Sequence, residues 1–484
     1  MQLKKEMGEW FGNAKGDILA GLVSSFAVIP EVVGFCIVAG ISPMMGLYAS
    51  FWLTVLMAFI GGRPAMISAA AGSMALVIVS LVRDYGPEYL MAATILTGFF
   101  MLVLGLFKVG NLIKLIPNGV QIGFVDALAI LIFSSQLGNF KGEGWQMYAL
   151  VALGIAIIYL FPRVTKSVPS TLVAVIVVTA IAIIFGAPVR TIGDMGTITA
   201  ALPPFHLPAV PFNLETLMII LPYSISLALV GLVETLLTSQ VIDEMTDTVG
   251  DRNRECRGLG IANIVSGFFS GTCGCAMIGQ AIVNVNSGAR GRLSNFVSGA
   301  FLMVLIFILN DLMVQIPLAA LVAVMITVSI STFDWDSLRR LNRMPRTDAL
   351  VIVVVVAIVV ATNNLAIGVV IGLVLTAIFF AMQLSKIKVE TSKDGEGTIT
   401  YHIIGQIFFA STEPLMSAFD FHDDSKRVIL DFAKARLWDE SAATVLKKAM
   451  DKFESNGKEV EVCGLDENSV TLVNTLYGVT CKEA

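Results

Sequence analysis

The chain has 484 residues, 56% of them hydrophobic and 14% charged, with 42 glycines and a mean hydropathy of +0.81. A soluble domain carries about 25% charged residues, so this composition excludes an ordinary soluble enzyme, offers nothing to a nucleic-acid partner and points to a membrane protein. The formal net charge of −5 decides little, because apolar blocks run from Ile18 to Leu384 and charge density rises abruptly after Ser385.

Lys4, Lys5, Lys15 and Asp17 precede the first apolar stretch. That stretch alone imitates a secretory signal, but many comparable blocks follow and no small-residue cleavage pattern stands out. The hydropathy pattern predicts fourteen membrane segments at 18–40, 43–60, 65–81, 90–107, 118–138, 145–161, 169–187, 214–242, 257–272, 276–287, 293–310, 316–332, 349–361 and 365–384. Those at 65–81 and 276–287 are short, rich in glycine and alanine, and hold polar residues. With a cytoplasmic N-terminus and every segment crossing, seventeen lysines and arginines up to residue 385 fall inside, Lys114 and Lys166 among them, and only Arg83, Lys141 and Arg190 fall outside. That asymmetry predicts the orientation and a cytoplasmic C-terminus, with a transmembrane transporter domain over 1–390 and a cytoplasmic domain over 391–484.

The tail reads as a compact α/β domain: strands at Thr398–Ile404 and Gln406–Ala410, a helix at Glu413–Phe421, a strand at Arg427–Phe432, a helix at Ser441–Phe453, a strand at Val460–Cys463 and a helix near Ser469–Leu476. It has no glycine-rich phosphate loop, so ATP-driven transport has no engine here. The six cysteines, Cys36, Cys256, Cys273, Cys275, Cys463 and Cys481, suggest no disulfide framework, and Cys273-x-Cys275 is too tightly spaced for a zinc knuckle. No cofactor and no catalytic residue is expected.

An ionised side chain at mid-membrane is expensive unless paired or hydrated, so each one asks for a role. Glu234 has eight uncharged residues on either side, and Thr238 lies one helical turn beyond it. The pair offers oxygens for Na⁺, or the carboxylate carries a proton; the alternative is a structural acid bonded to a neighbouring helix. Glu31 follows Pro30 and precedes Gly34, in a helix made irregular by the proline. Asp126 reads as a weaker candidate pairing near a helix end, and His206 as part of a proline-rich loop. The small-residue stretches Ser68–Met74 and Gly271–Gln280 suit two helices beginning in mid-membrane, whose free amides and positive dipole ends favour an anion. Two such starts, one in each half, form the pattern of transporters built from inverted repeats.

The motifs Gly16-Asp-Ile-Leu-Ala-Gly-Leu22, Ala27-Val-Ile-Pro30 and Asn284-Val-Asn-Ser-Gly-Ala-Arg-Gly-Arg-Leu-Ser294, with the α/β tail, resemble the sulfate permease (SulP) family, related to the mammalian solute carrier 26 anion transporters; the tail is similar to a STAS domain. The resemblance covers nearly the whole chain. It implies an all-α polytopic membrane protein with fourteen transmembrane segments in two inverted repeats of seven, a core (segments 1–4 and 8–11) and a gate (5–7 and 12–14), a small cytoplasmic α/β STAS domain and a homodimer in membrane lipid. It also implies a substrate cradle at Ala71, Gly72 and Ser73 and at Ala276, Met277, Ile278, Gly279 and Gln280, assisted by Glu31 and Phe35, and cation coupling at Glu234 and Thr238, where the cyanobacterial bicarbonate transporters of the family use an acid and a threonine for Na⁺. Ser441 matches the phosphorylated serine of bacterial anti-sigma antagonists, followed here by Ala442 rather than the usual glycine; a helix cap is the plainer role for Ser441 or Asp439.

Two departures matter. Many members have glutamine where this chain has Glu31, and several animal members have a serine–arginine pair where it has Gly279 and Gln280. A pocket with two carboxylates and no arginine argues for symport over exchange. The expected function is secondary active symport of a small inorganic oxyanion, sulfate or bicarbonate, with Na⁺ or H⁺. The alternatives are a carrier of a neutral or weakly acidic organic solute, an anion channel or exchanger, and a membrane-anchored signalling protein.

Overall fold

The computed structural model describes residues 2–111, 116–165, 169–194, 201–394 and 397–477. Lys114, Lys166 and Cys481 lie outside the described residues. The chain divides into two compact units, Met1–Leu373 and Val374–Ala484.

The first unit is helical. In chain order it contains α1 (Gln2–Phe11), α2 (Ala14–Ala39), α3 (Pro43–Ile60), a two-residue strand β1 (Ser68–Ala69), α4 (Gly72–Tyr85), α5 (Pro87–Leu106), α6 (Asn118–Leu137), α7 (Trp145–Leu160), α8 (Ser170–Ile184), α9 (Leu214–Thr246) and α10 (Arg252–Phe268). A second two-residue strand, β2 (Cys275–Ala276), leads into α11 (Ile278–Asn286), α12 (Arg292–Met313), α13 (Leu318–Thr332), α14 (Trp335–Arg340) and α15 (Arg346–Thr362), and α16 (Leu365–Leu384) runs across the division between the units. A helix falls within each predicted apolar segment, and eight of the described helical stretches are long and apolar enough to cross a membrane. The protein is an all-α polytopic membrane protein with a small α/β C-terminal domain.

Local chemistry sets the helix boundaries. Pro43 and Pro87 open α3 and α5, where a missing amide costs nothing. Asn213 and Asp251 cap α9 and α10 by accepting from the amides of Thr216 (2.8 Å) and Arg254 (2.9 Å). The helices pack in two sets. In one, α5 lies on α9 and α10, α12 on α2 and α3, α4 on α2 and α9, and α11 on α9 and α2. In the other, α13 and α15 lie on α6, and α7 lies on α13 and α8. Glycine permits the closest approach: a Cβ on Gly98 of α5 would stand 2.5 Å from the carbonyl oxygen of Gly260 on α10.

The second unit holds β3 (Lys388–Lys393), β4 (Thr398–Ile407), α17 (Thr412–Ser417), β5 (Arg427–Leu437), α18 (Glu440–Ser455), β6 (Glu459–Cys463) and α19 (Glu467–Tyr477). The strands form one sheet ordered β3-β4-β5-β6, antiparallel between β3 and β4 and parallel thereafter. Alternate residues of β4 and β5 (Ile399, Tyr401, Ile403; Val428, Leu430, Phe432) pack beneath the helices against Leu446 and Phe453. Three features differ from the sequence expectation. The two short strands around Gly405 are one strand with a register shift between His402 and Ile404, because β5 pairs along its whole length and Gly405 takes φ +129° within it. The helix expected at 413–421 ends at Ser417, leaving Phe419 and Phe421 to pack into the core. The edge strand β3 was not anticipated: its charged, exposed residues lack an alternating apolar face, and only pairing with β4 makes it a strand.

Candidate substrate and coupling site

Two extended segments meet in the helical unit. β1 and β2 pair antiparallel, Ser68 opposite Ala276 and Ala69 opposite Cys275, and each runs directly into a helix, α4 and α11. The crossing is fixed by side chains in otherwise apolar helices. Thr54 Oγ1 donates to the Ser68 carbonyl (2.6 Å), the Ala70 amide donates to Ser50 Oγ (3.2 Å), and the Ala276 amide donates to Thr235 Oγ1 (3.1 Å). Asn263 holds both ends of the Gly274 peptide, accepting from its amide at 2.9 Å and donating to its carbonyl at 3.0 Å. Buried backbone groups that a continuous helix would have satisfied internally are thereby paired with side chains. Gly274 is required for the approach, since a Cβ there would lie 2.3 Å from the Ala69 carbonyl oxygen.

The residues predicted for substrate and for coupling lie around this crossing. Ala71 is the N-cap of α4 and Gly72 and Ser73 begin it. Ala276 ends β2, Met277 is the N-cap of α11, and Ile278, Gly279 and Gln280 form its first turn. Phe35 of α2 is buried with its ring against Gly72, where a Cβ would come within 2.5 Å of it. Glu31, one turn earlier, is 9% exposed, and the side chain of Gln280 lies near it and donates to the Ala27 carbonyl at 3.3 Å. Gly279 is exposed, and a Cβ there meets nothing within 4 Å. Among the described residues, Ser68 Oγ and Gln280 Oε1, both buried at the crossing, find no hydrogen-bond partner.

Glu234 is 6% exposed on α9 and reaches into the same place. Its Oε2 accepts from Ser73 Oγ at the start of α4 and from Cys275 Sγ of β2 at 3.2 Å. Glu234, expected for coupling, is thus hydrogen-bonded to Ser73 of the expected substrate cradle and to Cys275 beside it. Thr238 does not join the carboxylate in this arrangement: its hydroxyl donates to the main-chain oxygen of Glu234 at 2.7 Å. No group of three or more metal-ligating side chains occurs among the described residues.

The remaining polar residues singled out in the sequence lie on other elements. Asp126 accepts from the Asp334 amide (2.8 Å) and Ser337 Oγ (2.9 Å). His206, in the loop ahead of α9, bonds Glu88 at 3.0 Å. Ser441 lies in the first turn of α18, capped by Asp439, which accepts from the Ala442 amide at 2.9 Å. Ser441 itself lines a groove of about 400 Å³ with Thr412, Glu413 and Lys448.

The two sequence motifs also meet. Asp17 Oδ1 accepts from the amides of Arg290 (2.7 Å) and Gly291 (3.0 Å), and Asn284 accepts from Ser24 (3.0 Å) while donating to the Ala65 carbonyl (2.9 Å). The sulfate permease family pattern matches residues 14–148 and 143–355, and the STAS domain pattern matches residues 389–476. The chain belongs to the sulfate permease family. A Bacillus subtilis protein named putative sulfate transporter YbaR is 54% identical over 468 residues, 97% of this chain and 98% of its own. The bicarbonate transporter BicA of Synechocystis is 27% identical over 94% of this chain and 89% of its own. Among solved structures, the transmembrane domain of a cyanobacterial BicA aligns with a TM-score of 0.68 at 28% identity, covering 74% of this chain and 98% of that one. The murine Slc26a9 anion transporter in its inward-facing state aligns at 0.84 over 98% of this chain and 88% of that one; at 16% identity it speaks to the fold alone.

Sequence reasoning missed Cys275, Thr235 and Asn263. The available signal was polar side chains inside apolar helices, Thr235 beside Glu234 most plainly, but pairing them with an extended segment far along the chain needs the fold.

Proposed function

We propose that this family member is a secondary active symporter of a small inorganic oxyanion, sulfate or bicarbonate, driven by H⁺. The carrying observation is the position of Glu234, whose carboxylate binds the first turn of α4 through Ser73 and β2 through Cys275. A titratable group at the junction of two helix starts links the charge of the site to the loading of an anion there. The Thr238 hydroxyl is engaged with the main chain, so the carboxylate–hydroxyl pair expected for Na⁺ is not assembled, which favours a proton. The partnerless atoms Ser68 Oγ and Gln280 Oε1 support a ligand at the crossing, since buried polar atoms in native proteins find partners. Under this reading Glu31, Phe35, Ala71–Ser73 and Ala276–Gln280 surround the anion, while the amides and dipoles of α4 and α11 supply the positive end that no arginine provides. The names of the relatives, a putative sulfate transporter and a bicarbonate transporter, support the substrate class.

The same reading has fourteen segments in two inverted repeats. The paired starts β1–α4 and β2–α11 are the corresponding pieces of the two halves, and the two packing sets of helices are core and gate. Residues 1–390 transport, residues 391–484 form the cytoplasmic STAS domain with Ser441 as a regulatory position, and the carrier works as a homodimer with both termini inside. The test is uptake of labelled sulfate and of bicarbonate into proteoliposomes under separately imposed H⁺ and Na⁺ gradients. Accumulation of one anion under the H⁺ gradient alone is expected. Accumulation that needs Na⁺ refutes the choice of proton, and downhill flux indifferent to both gradients refutes symport.

A further inference from the structure

Away from the crossing, a cleft of about 760 Å³ in the helical unit opens beside Arg83 and the α15–α16 connection. It lies at the seam between the two helix sets, walled by α2, α4 and α9 on one side and by α6 and the 362–364 turn on the other. Two polar pairs spaced three residues apart face it, Ser80 and Arg83 on α4 and Tyr223 and Ser226 on α9, because that spacing puts both members on one helical face. Ser80 Oγ and Tyr223 OH are 3.2 Å apart, so the pair keeps one hydroxyl hydrogen for a third partner. Asn363 and Asn364 face them from the turn; Asn364 Oδ1 accepts from the Ala366 amide (3.0 Å), which leaves its NH₂ group to donate. The hydroxyls of Ser134, Ser135 and Thr362 also line the cleft, but they donate to carbonyls of their own helices. Arg83 is the sole charged side chain among the lining residues. Ten residues of helix, about 15 Å, separate it from Ser73, so the cleft is distinct from the crossing.

We infer that this cleft is a second, outer binding site where the transported oxyanion is collected before it reaches the crossing between β1 and β2. The inference rests on the functional reading above. A guanidinium, hydroxyls and side-chain amides form a donor set for sulfate or bicarbonate, and they complement an inner site that has two carboxylates and no arginine. The partner of Arg83 in the structure is its neighbour Asp84, at 2.8 Å and with both side chains exposed. Such a pair holds weakly and is screened by salt, so an entering anion can displace it. Arg83 then acts on the capture of substrate and not on its translocation.

The test is initial-rate uptake of labelled sulfate and bicarbonate into intact cells expressing the full chain. Sucrose-balanced medium at about 10 mM ionic strength is compared with about 150 mM salt, over which the screening length falls from about 30 Å to about 8 Å. Surface expression is measured in parallel. At low ionic strength R83E should raise KM on the order of tenfold, the lower end of electrostatic focusing in charged clefts, with maximal rate per molecule unchanged. In the high-salt medium the difference should shrink to about twofold. D84N, which frees Arg83, should lower KM at low ionic strength. KM values that match wild type in both variants, or a rise in R83E that salt does not diminish, overturn this inference alone. Wild-type cells that take up neither anion overturn the functional reading, and this inference with it.

Discussion

Replacing Glu234 with glutamine keeps the side chain's size and leaves an oxygen to accept from Ser73 or Cys275, but it removes the group that can change charge. One carboxylate at the crossing carries one proton per cycle. A pH difference of one unit is worth about 1.36 kcal/mol per proton, which at zero membrane potential supports an accumulation ratio of about ten for the cotransported anion. Wild-type protein in proteoliposomes, with the potential clamped and the lumen one pH unit alkaline, should therefore concentrate substrate about tenfold. The E234Q variant should equilibrate it, at a ratio of about one, while still exchanging labelled for unlabelled substrate at equal concentrations, because the helix starts and their amides are unchanged. The assay is the plateau of labelled anion inside the vesicles, with exchange in the same preparation showing that the carrier is active. A plateau in E234Q equal to wild type would refute the coupling role and leave Glu234 a structural acid.

Gly279→Leu should fold and reach the membrane, since a side chain there meets open space, yet weaken substrate binding about tenfold or more by filling the approach to α11; calorimetry on the purified variant checks this. Asn263→Leu strips both partners from the buried Gly274 peptide, at about 1–3 kcal/mol for each unsatisfied group, and should lower the thermal midpoint of the detergent-solubilised protein by several degrees. In the C-terminal unit, burial would raise the carboxyl of Asp423, but hydrogen bonds from Lys393, Ser425 and Lys458 outweigh it and hold it well below the usual carboxylate range. A depressed folded value means stability that is present above about pH 4 and lost as pH falls further toward that value. Protection factors against hydrogen exchange in this unit of the full chain, which correct for the slower intrinsic exchange in acid, should therefore fall on acidification below about pH 4. Asp423→Ala should do the same at neutral pH, costing about 3 kcal/mol, because Lys458, 8% exposed, loses its buried partner.

Composition and hydropathy were sufficient for the class of protein and the approximate ends of its apolar helices, because a span must hide about twenty residues' worth of backbone and side chains from water. The motif around Asp17 and the one from Asn284 to Ser294 carried the family, and both are legible because each packs a fixed local geometry: acid to amides in the first, asparagine to a carbonyl in the second. The small-residue stretches foretold the breaks before α4 and α11, since glycine and alanine let two backbones meet there. Tertiary structure alone decided what the buried acids touch. Glu234 and Thr238 share a helical face, and the sequence paired them on that ground, but the hydroxyl turned to the main chain and the carboxylate found Ser73 and Cys275, 161 and 41 residues away. In the tail the same difference recurs: the alternating core of β4 and β5 is written in the sequence, whereas β3 is a strand only because an edge was there to pair with it. Periodicity encodes which face of an element avoids water; which partner meets that face is set by the packing of segments far apart in the chain, and no local pattern contains it.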